Sequence, residues 1–382
     1  MEDTNMQPAP GGKSAKWVIG IIVLVLLIWA VVATQKKENT QTQTKTNGEI
    51  FKIGVVIPLT GDVASYGESV KKGIEMAKKD LNAQNTELSY EDSKCDGKTA
   101  VDAVNKLVYI EKVQAIIGDL CSSATLAAAP VTQKNQVVLI SPGSTSPKLS
   151  EVGWYMFRTV PSDALQGEFG AKLAYGKNFR KLAILHSNED YGNGFAQVLT
   201  EAFKKLGGEI VADEAFLRTA TDLRTQVTKI KAANPDAIYM ISNSTDSTVA
   251  SLKQLKELGV KATLFGSEGF KSPDIIKGAQ EAAEGLMVSA VSAGTSDFIK
   301  KHNAVYGTDP GPFAAQSYDA FAALAKAVSQ GAKTGQDAAT QLHAMEFNGA
   351  SGLVKFDEHG DVAGNYDVYT VKNGNFVLTP QE

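Results

Sequence analysis

The residues predict an α/β protein of two domains, each a mostly parallel sheet flanked by helices. Short apolar runs alternate with helical stripes from Phe51 to Arg158, and the same alternation starts again at Leu182. Two of the runs, Ala115-Ile-Ile117 and Val137-Val-Leu-Ile140, are continuously apolar, as strands covered on both faces are, and both stop at small polar residues. With 382 residues, 43% of them hydrophobic, the chain is long enough to fill two cores.

Residues 1–16 are polar, with Pro and Gly, and read as a short tail. From Trp17 to Ala33 every residue is apolar or Gly, with Lys13 and Lys16 before and Lys36 and Lys37 after. That length sits at the lower edge of a membrane-spanning helix, about 17–25 residues, and above the usual core of a signal peptide, about 7–15. Residues 17–34 are read as a transmembrane anchor, with a cleaved signal segment as the alternative. Either sends the chain from about residue 48 onward out of the cytoplasm. Residues 35–49 carry no apolar side chain and form a tether.

Residues 51–58 read as the first strand and 59–67 as a loop. Val70, Ile74, Ala77 and Leu81 then make one helical stripe. A strand near 88–91 and a helix carrying Val101, Val104 and Val108 lead to the strand at 115–118. Ser122 and Ser123 open a helical pattern through Ala129, and residues 154–158 are extended until Pro161-Ser-Asp163 breaks them. In the second series, Leu182-Ala-Ile-Leu185 is a strand. Phe195, Val198, Leu199, Ala202 and Leu206 form a helix stopped by Gly207-Gly208. A strand at 210–216, a helix with Val227 and Ile230, a buried strand at 237–241, a helix from Val249 to Leu258 and a strand at 263–266 complete it. The remainder is less periodic: a helix at 313–329, then short strands at 352–357, 366–371 and 376–378 whose turns favour an antiparallel meander.

The net charge of -4 offers no basic field, so nucleic acid is not an expected partner. The four His show no ligand spacing, and neither a metal nor a cofactor is expected. Cys95 and Cys121, in an exported chain, most simply form one disulfide, worth about 3 kcal/mol by loop closure; two free thiols are the alternative. No Gly-x-Ser-x-Gly occurs, and Gly97-Lys98-Thr99 has Asp92 where a phosphate-binding loop needs Gly, so catalysis is not expected.

The candidate site is the pair of strand ends. Ser122 and Ser123 follow one strand and begin a helix; Gly143, Ser144 and Thr145 follow the next. Hydroxyls and free N–H groups there, at the carboxyl edge of a parallel sheet, form a place for a small anion. Taken singly, the serines cap a helix and Thr145 sits in a turn. Two such ends in succession should be neighbours in the sheet, which favours binding.

Several stretches then match a known family in order. They include Ile53-Gly-Val-Val-Ile-Pro-Leu-Thr-Gly61, Gly118-Asp-Leu-Cys-Ser-Ser123, Ile140-Ser-Pro-Gly-Ser-Thr-Ser-Pro147 and Phe157-Arg-Thr-Val-Pro-Ser-Asp163 with Gln166-Gly167. Asp190-Tyr-Gly-Asn-Gly194, Phe265-Gly-Ser-Glu-Gly269 and Phe356-Asp-Glu-His-Gly-Asp361 follow. The chain resembles the periplasmic-type substrate-binding proteins of ABC importers, in their leucine/isoleucine/valine branch. The resemblance implies the type I two-lobed fold with a three-crossover hinge: lobe 1 at 50–162 and 290–347, lobe 2 at 163–289 and 348–382. It places the Cys95–Cys121 pair where that branch carries its disulfide. It implies a free amino acid as ligand, a membrane permease as partner, and a monomer.

By the same resemblance, Ser122 and Thr145 hold the ligand α-carboxylate, while the Gly143 carbonyl and the Glu268 carboxylate accept its ammonium. Glu268 could otherwise be an ordinary loop carboxylate on the surface. Asp163 falls at the hinge, either touching the amine or only holding the crossover. Tyr66 and Tyr191 cover the ligand and Phe313 lines its side-chain pocket, although each aromatic would also suit a core. Asn243 stands where leucine-binding members have Tyr, which makes the pocket wider and more polar. The alternative function is an extracellular sensor for amino acids or related small acids and amides, acting through a partner protein.

Overall fold

A computed structural model describes residues 50–380. The tail, the apolar segment at 17–34 and nearly all of the tether lie outside the described residues. Among the described residues no helix is long and apolar enough to cross a membrane.

The first lobe is a five-stranded, wholly parallel sheet in the order β2-β1-β3-β4-β5. Its strands are β1 (Phe51–Ile57), β2 (Thr86–Asp92), β3 (Ala115–Gly118), β4 (Val138–Ser141) and β5 (Met156–Arg158). The period-two alternation of a strand decides which side chain meets which helix layer. Ile53, Val55 and Ile57 of β1 share one core with α1 (Ala64–Asp80), and Val56 turns to the other core with α2 (Gly97–Asn105) and α3 (Ser122–Lys134). A π-helical segment, Lys106–Glu111, continues α2. β3 and β4 pair directly, Ala115 opposite Val138 and Ile117 opposite Ile140, so the two strand ends are neighbours.

The chain then crosses to the second lobe. There β6 (Lys181–Ser187), β7 (Glu209–Phe216), β8 (Ala237–Ile241), β9 (Thr263–Gly266), β10 (Met287–Val291), β13 (Tyr366–Lys372) and β14 (Asn375–Thr379) form one sheet. Its order is β14-β13-β10-β9-β8-β6-β7. The sheet is parallel except for β13, which runs antiparallel to β10; β14 pairs antiparallel with β13 in a hairpin and so points the same way as the other strands. Leu182, Ile184 and Tyr239 pack with α4 (Asp163–Gly176) and α5 (Asp190–Lys205). Ala183, Leu185 and Met240 face α6 (Arg224–Ala233), α7 (Thr245–Glu257) and α8 (Pro273–Ala279).

After β10 the chain returns to the first lobe for α9 (Ser296–Tyr306), α10 (Ala314–Ser329), α11 (Gly335–His343) and a small hairpin, β11 (Glu346–Asn348) with β12 (Leu353–Lys355). The alanines of α10 let it lie close on α1: a Cβ at Gly73 would sit 2.2 Å from the Ala314 carbonyl oxygen. A third crossover leads to β13.

Four readings of the sequence are corrected. Leu81 is the C-cap of α1 and is 46% exposed, because the helix ends before its stripe does. α4 occupies residues read only as a break; its buried face is Asp163, Gln166, Gly167, Gly170, Ala171 and Ala174, too small and polar to make an apolar stripe. The return to the second lobe falls after Val362 rather than at 348: Val354, Phe356 and Val362 belong to the first lobe's core, with Phe356 edge-on to Phe157 at 5.2 Å. For the same reason β12 pairs with β11, and the terminal meander reduces to the β13–β14 hairpin.

One buried group joins the crossovers. Arg158, fully buried at the end of β5, donates through Nε and Nη2 to both oxygens of Asp361 at 2.6 and 2.7 Å. Its Nη1 donates to the Thr145 and Ser146 carbonyls and its Nη2 to Ser150 Oγ. Removing one partner of such a pair strands a charge. Asp361→Ala should therefore lower unfolding free energy by about 3–5 kcal/mol, read by urea denaturation; a loss under about 1 kcal/mol would show that the guanidinium does not organise this region.

Candidate functional site

A cavity lies where the lobes meet. It is lined by Pro58, Val63, Tyr66, Leu120, Cys121, Ser122, Gly143, Thr145 and Phe313 from the first lobe and by Tyr191, Asn243, Glu268 and Gly269 from the second. Eight of the residues singled out from the sequence therefore meet in one place: Tyr66, Ser122, Gly143, Thr145, Tyr191, Asn243, Glu268 and Phe313. Ser123, Ser144 and Asp163 do not line it.

The first-lobe wall is the carboxyl edge of β3 and β4. α3 starts at Ser122, and its N-cap, Cys121, makes no side-chain cap, so the first N–H groups of the helix have no side-chain acceptor. Ser122 Oγ accepts from the Ser146 N–H at 3.1 Å, which leaves its own proton to donate. The N–H groups of Gly143 and Ser144 donate instead to Ser141 Oγ, which donates to the Asp119 carbonyl. Ser144 is structural for that reason: its hydroxyl is buried on Thr125 Oγ1 and the Asp119 carbonyl. Cys121 is bonded to Cys95, so the disulfide reaches the cavity wall.

Thr145 Oγ1 donates to Asp163 Oδ2 at 2.8 Å, and the Asp163 N–H donates to the Thr145 carbonyl. Asp163 is fully buried behind the wall, and its other oxygen, Oδ1, has no partner. Burial holds its carboxyl well above the usual range; the negative charge of Glu268 adds to the rise and the Thr145 hydrogen bond opposes it. Glu268, in the short 3₁₀ turn after β9, is buried, and its Oε2 also lacks a partner. Burial pushes it up to about 7, although Tyr191, Gln166 and Thr145 offer hydrogen bonds that pull it down. Gln166, on the buried face of α4, is a site-side residue to which the sequence alone assigns no role. Its amide donates to the Ser289 carbonyl, and its Oε1 is a further buried oxygen without a partner. Only its place beside Asp163, one helical turn on, could have drawn attention to it.

The aromatics close the cavity. Tyr66, from α1, donates across the cleft to the Gly269 carbonyl at 3.2 Å and lies 6.1 Å from the Phe313 ring. Tyr191 donates to Ser267 Oγ at 2.7 Å. Ser123 stands at the rim, where its hydroxyl donates to Glu189 Oε2 and accepts from the Asp190 N–H, both at 3.1 Å. Lys148 pairs with Asp190 beside it. On another part of the rim Thr245 Oγ1 donates to the Asp62 carbonyl, and Arg218 faces Asp62 at 3.6 Å. Among the described residues no cluster of His, Cys, Asp and Glu could hold a metal.

Two α/β lobes joined by three crossovers around a small cavity have the architecture of a hinged binding protein. The comparisons agree. The sequence profile of the periplasmic binding protein family matches residues 51–375, and the chain belongs to that family. It is 29% identical to the leucine-, isoleucine-, valine-, threonine- and alanine-binding protein of Pseudomonas aeruginosa over 84% of this chain and 88% of that one. It is similar to the leucine-binding protein LivK of Thermotoga maritima, with TM-score 0.82 and 28% identity over 87% of this chain and 98% of that chain. It is also similar to the branched-chain amino acid transporter substrate-binding protein LivJ of Streptococcus pneumoniae, in complex with isoleucine. There the TM-score is 0.78 and the identity 29%, over 86% of this chain and all of that one.

Because Glu268 titrates higher in the folded chain than in the unfolded one, the ligand-free fold holds an extra proton between about pH 4.5 and about 7 and loses stability as pH rises through that window. Glu268→Gln should make this fall shallower, leaving the part that the other raised carboxyls, Asp163, Asp119 and Asp319, contribute. Above pH 7 the ligand-free variant should be the more stable by up to about 3 kcal/mol, measured by urea unfolding at pH 5 and pH 8; parallel profiles for the two proteins would refute the assignment.

Proposed function

We propose that the protein is the extracytoplasmic substrate-binding component of an ABC importer: it captures a free amino acid between its lobes and presents it to a permease. The observation that carries the reading is the polarity of the cavity. At one end buried Glu268, with Asp163 behind the wall, keeps an oxygen without a partner, as does Asp163, and among the described residues neither forms an ion pair. At the other, Ser122 and the uncapped start of α3 offer donors. A buried carboxylate is costly alone and favourable beside a cation, and a helix N-terminus favours an anion. An α-amino acid carries both charges on groups attached to one carbon.

In this reading the α-carboxylate sits on Ser122 and the first turn of α3, and Thr145 joins by turning its hydroxyl away from Asp163. The ammonium sits on Glu268 and the Gly143 carbonyl, with Asp163 and Gln166 behind. Tyr66 and Tyr191 cover the ligand and Phe313 bounds its side chain. The lobes open by bending at the crossovers, and the rim contacts of Ser123, Lys148 and Thr245 re-form on closure. The apolar sequence at 17–34 tethers a monomer to the membrane.

Titration calorimetry of the protein against the common amino acids tests this. Binding at pH 6.5 should release a proton, seen as a dependence of the heat on buffer ionisation, because an ammonium requires the ionised form of Glu268. Glu268→Gln should weaken binding by at least about thirtyfold. Equal affinity for a carboxylic acid lacking the α-ammonium would sink the proposal.

A further inference from the structure

Apart from the groups that the amino-acid reading gives to the carboxylate and the ammonium, and the two covering tyrosines, the side chains lining the cavity are apolar except at one point. Pro58, Val63, Leu120 and Phe313 supply hydrocarbon, and Cys121 is tied up in its disulfide. Asn243 is the exception. It lines the cavity from the loop between β8 and α7, and its Oδ1 is buried without a hydrogen-bond partner. The two hydroxyls that follow it in the same stretch, Ser244 Oγ and Thr248 Oγ1, are also buried and unpartnered.

The backbone that presents this amide is pinned. Ser242 Oγ is hydrogen-bonded to Ser247 Oγ at 2.9 Å and accepts from the Ser244 N–H. Gly269 lies so close beneath that a Cβ there would fall 1.9 Å from the Ser242 carbonyl oxygen. Thr245 fastens the same loop across the cleft to Asp62. Asn243 therefore has little freedom to carry its amide elsewhere. An amide presents an acceptor and a donor whichever way it is turned. An aliphatic ligand side chain would leave the buried Oδ1 unmatched, whereas a hydroxyl or amide on the ligand would satisfy it.

We propose that Asn243 makes this cleft selective for an amino acid whose side chain carries a hydrogen-bonding hydroxyl or amide, over the aliphatic amino acid of the same shape. The inference rests on the amino-acid reading above.

Threonine and valine, and asparagine and leucine, are near-isosteric pairs that differ in that group alone. Calorimetric dissociation constants for all four, measured on the same protein, test it. The polar member should bind at least tenfold more tightly in at least one pair, and Asn243→Leu should abolish that preference by raising affinity for the apolar member. Less than tenfold in both wild-type pairs overturns the inference even if the variant does not fold, while binding of any α-amino acid leaves the amino-acid reading standing. Failure of every amino acid to bind overturns both. A preference that survives in a folded Asn243→Leu variant moves the selectivity to another residue and overturns the role given to Asn243.

Discussion

The geometry of the cleft depends on one buried cation. The guanidinium of Arg158 has five N–H donors, and each finds an acceptor: two on Asp361, one on Ser150, and the carbonyls of Thr145 and Ser146. Desolvating a charge is offset only when all such contacts are made together. The loop that carries Thr145, the exit from β5 into the first crossover, and the entry to the third crossover are therefore held as one unit. A hinge needs its fixed parts, and here the fixed part also carries one wall of the cavity.

The buried carboxyls present the opposite case. Asp163 lies within the Coulombic reach of Arg158, yet Arg158 spends its donors elsewhere. Glu268 has neighbouring donors and, among the described residues, no cation, and burial outweighs them. A fold that satisfies one buried charge completely and leaves another open a short distance away has not run out of partners. Unmet demand of that kind is tolerable where a ligand supplies the missing charge. The same contrast recurs in miniature at Asn243, an unmatched amide amid hydrocarbon.

Much of this was legible in the residues because it is local or periodic. The continuous apolar runs at 115–118 and 137–140, each ending in hydroxyls, gave two adjacent strands and a shared site edge. Glu268 was legible through Phe265-Gly-Ser-Glu-Gly269. What escaped depends on distant contacts. Nothing near Arg158 in the chain announces Asp361, and α4 hides its helical period because its inward face is glycine, alanine and polar side chains. Ser144 and Ser123 show the limit of reading residue type alone: beside Ser122 and Thr145 they have the same chemistry, but Ser144 turns into the lobe and Ser123 onto the rim. The stretch from Leu353 to Val362 packs with Phe157, a choice made by the core and not by its own turns.

The Cys95–Cys121 bond joins the loop after β2 to the residue just before α3, and Cys121 faces the cavity. The first N–H groups of α3 are thus fixed from outside their own helix. In a reducing interior that fastening is absent, and the wall is held by packing alone. The binding surface reaches its final form through an oxidation step, so its assembly belongs to the compartment beyond the membrane and to the history of the chain after synthesis.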